Sequence, residues 1–335
     1  DFFRYTGGTW MKNTQIPADR SRWGSFDALA AKSEDDVRAA IEDAIKEAAA
    51  PGTVTRKVVD YYQSFLDVTM IEAKGLEPIK ADLARIDAIR SLEDLVKLTA
   101  SRDFRANLPV GMNVTLDAKR PDVYVIGIGQ SGLGMPDRDY YLTDNFKAKK
   151  QAYADYILRT FRMISYPDAD GAAAAVLAFE TRIAELSWAA AERRDIDKIY
   201  NPMGVAALQA YAPGLNWRAY LDAAGAPGAD AVVITENTAV QRIIDLYTQT
   251  PLPTLKAWQA FHTVNSAAGF LSKRFVDSSF EFNEKALNGT PTQRPRWKRG
   301  VELVDGSLGE ALGREYVAKY FPESSKRTMD GLVAN

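Results

Sequence analysis

A chain of 335 residues with 46% apolar and 26% charged residues, rich in Trp, Tyr and Phe, has the material for about two domains with a sizeable core, which excludes disorder. The formal net charge of −2 argues against bulk binding to nucleic acid or to an anionic membrane, both of which call for a basic surface. The absence of Cys excludes disulfides and thiolate chemistry, and the single histidine, His262, excludes a two-His zinc site while leaving one His for a Ser-His-Asp arrangement.

The chain opens on Asp1-Phe2-Phe3-Arg4-Tyr5 without a signal-peptide pattern, which reads as the start of a mature or trimmed chain. No run approaches the ~20 apolar residues of a membrane span. Arg22 and Asp27 bracket Trp23 and Phe26 around a bend at Gly24. Such a set is either a polar rim on an apolar pocket or an ordinary surface pair. Ser33 is expected to cap a helix with the stripe Val37, Ile41, Ile45 and Ala48, Asp36 completing a capping-box-like pattern. A Pro51-Gly52 break follows. Helical stripes then recur at Val58, Tyr62, Phe65 and Leu66, at Ile79, Leu83 and Ile86, and, after a restart at Ser91, at Leu92, Leu95 and Phe104.

From Asn113 to Ile128 the period changes to alternation, with Val114 and Leu116 on one side of Lys119-Arg120-Pro121-Asp122 and Val123, Val125 and Ile126 on the other. This predicts one β-hairpin with its turn at those four residues. The following Gly127-Ile128-Gly129-Gln130-Ser131-Gly132 matches the dinucleotide fingerprint by letter. That mechanism needs a helix starting at the last glycines, and Gly134 and Pro136 stand there instead, so a loop to Asp139 closing the hairpin is expected.

Helical spacing returns at Tyr153, Ile157, Phe161 and Ile164, then at Val176, Phe179, Ile183 and Leu186. Residues 211–230 read as a loop around a short helix. A long helix is expected from Leu255 to Phe275 with Leu255, Trp258, Phe261 and Phe270 inward. His262 beside Trp258 and Phe261 is then a core residue, since no Ser or carboxylate is placed locally to make a dyad with it. The basic patch from Gln293 to Arg299 is either a phosphate site or a set of cations paired with carboxylates around an inward Trp297. The balanced charge favours pairing, as does Pro295 in the first turn of a helix starting near Pro291. A last stripe, Leu308, Leu312, Tyr316 and Tyr320, ends at Phe321-Pro322. Ser324 or Ser325 then caps a helix with Met329, Leu332 and Val333 on one face. That pattern has no visible end at Asn335, which points to a chain that continues; a short terminal helix stopped by Asn is the alternative.

These residues also carry a resemblance. Asp1 to Tyr5 with Gly8-Thr9-Trp10 and Ile16-Pro17, the Arg22–Asp27 stretch, Gly132 to Leu142, and Tyr200-Asn201-Pro202-Met203 resemble the neprilysin-type (M13) zinc metallopeptidases. So do Leu271 to Val276, Gly289-Thr290, Gln293 to Arg299, Leu308 to Gly313, and Tyr316-Val317 to Phe321-Pro322, in order along essentially the whole chain. The resemblance implies a mainly α fold: a multi-helix lobe with one small β-hairpin, the non-catalytic lobe of a two-lobed peptidase enclosing a central cavity.

By the same resemblance, zinc lies in the other lobe on a His-Glu-x-x-His helix, where it activates water for attack on the peptide carbonyl with the Glu as general base. No catalytic residue and no metal ligand is then expected in this chain, which would be inactive alone. Its partners would be the C-terminal catalytic half, in the same polypeptide or a separate chain, and small peptide substrates. Arg22 and Asp27 match the Arg and Asp that line the family's S2′ pocket, and Ala30 stands where some members carry a further basic residue. The implied division is a pocket-forming segment 1–30, a helical lobe 31–322 with the hairpin at about 113–128, and residues 323–335 leading to the catalytic domain. Vertebrate members are disulfide-bonded ectodomains, so a chain without Cys fits a bacterial enzyme outside the cytoplasm, in the periplasm or secreted. A binding or regulatory module that lost catalysis is the rival reading.

Overall fold

The computed structural model describes residues 1–101, 103, 104 and 108–334, which fall into two compact units: Asp1–Ala73 with Asn283–Asn335, and Lys74–Phe282. The fold is mostly helical with one small four-stranded sheet.

The first unit is built from helices Phe2–Asn13, Ser25–Lys46, Val54–Leu66, Arg296–Tyr320 and Glu323–Ala334. Ile41, Val58, Tyr62, Val301, Val304 and Leu312 form its core. Val58, Tyr62 and Phe65 follow the helical period, so one stripe of Val54–Leu66 is buried. Thr53 caps that helix, its hydroxyl accepting from the Arg56 amide. Gly300 lets the Arg296–Tyr320 helix come close, because a Cβ there would stand 2.9 Å from the Tyr62 ring.

Two sequence expectations are corrected in this unit. Ser33 caps nothing: the helix starts eight residues earlier, at Ser25, after an extended Gly24. Phe26 to Lys32 contain no breaker, so a Ser inside good helix formers does not stop propagation. The helix expected near Pro291 begins at Arg296, behind Pro295, and joins the last stripe into one element with a kink at Leu308 (φ −131°, ψ 29°). The Phe2–Asn13 and Glu323–Ala334 helices bury no residue, and Phe2, Phe3, Tyr5, Leu332 and Val333 are exposed.

The second unit places its sheet beside a helical core. The strands are β1 (Val110–Asp117), β2 (Arg120–Gln130), β3 (Asn201–Gly204) and β4 (Ala231–Ile234), in the order β1-β2-β4-β3. β2 pairs antiparallel with β1 and parallel with β4, and β3 is antiparallel to β4. The predicted hairpin is therefore half of a larger sheet; β3 and β4, four residues each, are too short to show alternation.

The hairpin turn lies at Asp117–Arg120, two residues before its expected place. Asp117 explains the shift: its Oδ1 accepts from the amides of both Lys119 and Arg120. Pro121 falls where the register slips, Asp117 facing Arg120 while Leu116 faces Tyr124, so its missing N–H breaks no regular ladder.

Helices Lys147–Met163, Ala169–Leu186 and Leu252–Ala267 form the helical core around Tyr153, Ile157, Phe161, Val176, Ile183, Trp258 and Phe261. The rings interlock: Tyr156 stacks on Phe282 at 5.2 Å, and Phe179 meets Trp258 edge-on at 5.5 Å. The helix expected from Leu255 to Phe275 is three pieces: Leu252–Ala267, a 3-10 turn Ala268–Phe270, and Lys273–Phe280 behind an extended Ser272. Gly269 and Ser272 favour the break, and Phe270 is exposed instead of inward. The short helix expected within 211–230 is Trp217–Ala223.

Candidate functional site

Gly24, with φ −156° and ψ −177°, ends the incoming loop as the N-cap of Ser25–Lys46, and this puts Asp27 in the first turn. A carboxylate there is favoured by the unpaired amides and the dipole of the helix start. Arg22 reaches back to it: Arg22 Nε lies 3.9 Å from Asp27 Oδ1. The pair is asymmetric, with Asp27 about three-quarters covered and the Arg22 side chain 88% exposed. Phe26 and Leu29 stand exposed on the same first turns. The arrangement offers an exposed guanidinium beside a carboxylate, edged by apolar surface. Chemically it can hold a carbonyl or a carboxylate.

The cations of the basic patch are mostly engaged within the unit, although Arg294 Nε and Arg296 Nη2 are buried without an acceptor. Arg294 is bonded to Glu34 and to Glu302 (2.7 Å), and Arg20 shares Glu34 at 3.1 Å. Lys298 pairs with Asp19 at 3.0 Å, and the Thr292 amide donates to Ala18 O. Burial pushes the Asp19 carboxyl up, but the Lys298 hydrogen bond and charge outweigh it and leave it lowered. Arg296 donates to Phe65 O and lies 4.4 Å from that ring, and Arg38 lies 4.4 Å from Trp297. The patch staples residues 18–34 to the long C-terminal helix of the same unit, which is the pairing alternative of the sequence reading.

The glycine-rich stretch is structural too. Gly127 and Gly129 lie within β2, and the next helix starts only at Asp139, so no helix N-terminus sits at the glycines. A Cβ on Gly129 would stand 2.4 Å from Thr235 Oγ1, and one on Gly134 1.8 Å from the Tyr153 hydroxyl oxygen. Close packing, not a pyrophosphate, demands these glycines.

His262 is buried, and what buries it is a carboxylate that the sequence reading passed over. Glu180 is fully buried and accepts from five donors. The Trp258 Nε1–H (3.0 Å) and the His262 Nε2–H (2.8 Å) reach Oε1. The Tyr141 hydroxyl (2.6 Å), the Tyr153 hydroxyl (2.9 Å) and the Gly134 amide (3.2 Å) reach Oε2. Burial and the Glu180 charge hold both phenols well above their ordinary range. The one signal was positional: Glu180 lies four residues after Val176 and three before Ile183, inside the apolar stripe.

Tyr200 and Asn201 also have structural partners. The Tyr200 hydroxyl donates to Asp117 at 2.8 Å, and the Asn201 amide donates to Ile234 O at 3.0 Å, tying β3 to β4. Among the described residues, no three His, Asp or Glu side chains gather into a set that could hold a metal.

The sequence profile of peptidase family M13 matches residues 1–335. The chain belongs to that family. Endothelin-converting enzyme 1 of Rattus norvegicus is 28% identical over 99% of this chain and 45% of its own length. The Homo sapiens enzyme is 29% identical over 97% of this chain and 44% of its own length. The solved zinc metalloprotease Zmp1 of Mycobacterium tuberculosis, in complex with an inhibitor, superposes with a TM-score of 0.92 at 31% identity over all of this chain and 51% of that one. PEPO of Lactobacillus rhamnosis, at 18% identity and a TM-score of 0.81, shares the fold. This M13 chain thus spans about half the length of the relatives it matches. Its own residues do not fit the zinc of an M13 enzyme, since its one histidine is committed to Glu180 inside a core. No helix among the described residues is long and apolar enough to cross a membrane.

Proposed function

We propose that this chain is the N-terminal portion of a zinc metalloendopeptidase that hydrolyses small peptides. The observation that carries the reading is the M13 match along all 335 residues in a chain that spans about half of each relative. Zinc and the groups that act on it belong to a C-terminal half, in the same polypeptide or in a second chain, and this chain is inactive without it. A single histidine cannot supply the paired His ligands. The apolar side chains exposed on the first and last helices suit a partner half as their cover.

This chain's task is then confinement and prime-side recognition. An enclosing lobe limits peptide size and keeps water from the reacting groups. Residues 1–30 bring Arg22 and Asp27 to the S2′ pocket: Asp27 orients the guanidinium, and Arg22 binds the substrate's prime-side carbonyl or acidic group. Ala30 leaves the pocket without a second basic group, and residues 323–335 lead toward the catalytic half. A place outside the cytoplasm, in a bacterial periplasm or secreted, rests on the M13 resemblance, and the likeness to a mycobacterial enzyme supports its bacterial part.

Steady-state kinetics of the complete protein test the pocket. Arg22→Ala should raise KM for peptides with an acidic or polar prime-side residue by about ten-fold, with a smaller change in kcat, the signature of lost substrate binding. Unchanged kinetics across such substrates would remove Arg22 from the site.

A further inference from the structure

The second unit holds a cavity of about 210 Å³ between the glycine-rich loop and the residues after helix Ala169–Leu186. Two arginines line it, Arg138 and Arg193. Arg138 makes no side-chain hydrogen bond or ion pair among the described residues, and its Nε is buried without an acceptor. A buried guanidinium donor left unmet is costly, so an acceptor from outside is favoured there.

Arg193 is half committed. Its Nε donates to Glu236 at 2.6 Å, which leaves its terminal N–H groups for another acceptor. Glu236 cannot serve Arg138 as well, because its other oxygen already accepts from the Gln130 amide (2.8 Å) and the Thr235 hydroxyl (2.6 Å). Asp137 also borders the cavity, but one of its oxygens accepts from the Asp139 amide at 2.8 Å, and it forms no ion pair with either arginine among the described residues.

The walls are fixed in advance. The Gln130 side chain clamps the Trp188 backbone in both directions, Nε2 donating to Trp188 O at 3.1 Å and Oε1 accepting from the Trp188 amide at 2.7 Å. The Trp188 indole N–H is held by Thr238 at 2.7 Å. Gly132 takes φ +88°, and a Cβ there would stand 2.8 Å from Pro109 Cα, so the loop cannot slide inward. A preformed cavity saves the ordering cost of binding. It opens beside a groove of about 460 Å³ that shares Gln130, Ser131 and Arg193 and adds Arg194 and the small Gly111 and Gly129.

The geometry points to a carboxylate subsite at Arg138 and Arg193 that takes one acidic side chain of a peptide, with the flanking residues in the adjoining groove. The cavity has room for one such side chain, and forked guanidinium donors match a carboxylate. The peptide identity of the ligand rests on the peptidase reading above.

Calorimetric titration of the chain with two blocked hexapeptides, identical except for one Glu or Gln, tests it. The Glu peptide should bind about ten-fold more tightly at low salt, the preference shrinking as salt rises. Arg138→Gln should erase the preference while leaving the thermal midpoint and the Gln peptide's affinity unchanged. Arg138→Lys, which keeps the charge without the fork, should retain part of it and serves if the Gln variant misfolds. Equal binding of the two peptides, or a preference that survives Arg138→Gln, overturns the subsite alone. Binding of neither peptide also overturns the subsite, whereas the peptidase reading stands or falls on zinc content and hydrolysis by the complete protein. If glutarate displaces the Glu peptide with equal affinity, the site takes a free dicarboxylate and the peptide assignment falls.

Discussion

Glu180 is a fully buried carboxylate inside the second unit's core. A carboxylate in an apolar interior survives only when its charge is met by donors, and here five surround it. Removing it orphans all five at once. Glu180→Ala should destabilise the fold by about 3–5 kcal/mol. Glu180→Gln should cost less, about 1–3 kcal/mol, because the tyrosine hydroxyls can turn to accept from the new amide. Urea titrations of the two variants check the order. The phenols add a pH limb: Tyr141 and Tyr153 are held protonated in the fold, while the unfolded chain loses those protons above about pH 10, so stability should fall as pH rises past that value. The apolar stripe of this helix was legible in the sequence. The buried carboxylate was not, because its five donors come from residues 134, 141, 153, 258 and 262, which no local pattern connects. The proposed pocket role of Arg22 and Asp27 is carried by motif resemblance; spacing alone could not separate them from a surface pair.

At the scale of elements, the sequence showed where helices lie better than where they start and stop. Ser33 failed as a cap because capping chemistry matters only where the chain must leave the helix, and Gly24 already supplied that point. The hairpin shows a local contest decided by one side chain. Asp117 is nearly fully covered and anchors the turn through the Lys119 and Arg120 amides, the Arg120 guanidinium and the Tyr200 hydroxyl. The Lys119 amide first, then the Arg120 side chain, pull its carboxyl down to about 2. A carboxyl lowered in the fold contributes stability above its ordinary value and loses it on acidification. The contribution should be intact at pH 5 and fade between about pH 4 and 2. Asp117→Asn should therefore lower the thermal midpoint at pH 5 and converge on the parent near pH 2, a trend read from melts across that range. A constant difference at every pH would assign the effect to shape instead of charge.

For the whole molecule, composition supplied the sharpest constraint. One histidine and no cysteine leave no pair of His ligands for a zinc site of the His-Glu-x-x-His kind, and the single histidine is bonded to Glu180 in the second unit's core. The M13 match runs along the full chain, which spans about half of each relative, and the proposed division of labour rests on that: enclosure and prime-side contacts here, zinc elsewhere. The mainly helical class was legible from periodicity, whereas β3 and β4 were lost because pairing across some thirty residues leaves no trace in a four-residue strand. The most direct test is zinc content by elemental mass spectrometry, with peptidase activity on the same samples, for the 335-residue chain alone and for the complete protein. The expected result is no stoichiometric zinc and no hydrolysis for the chain alone, and one zinc with hydrolysis once the C-terminal half is present. Stoichiometric zinc, or peptide cleavage, by the 335-residue chain alone would contradict the division.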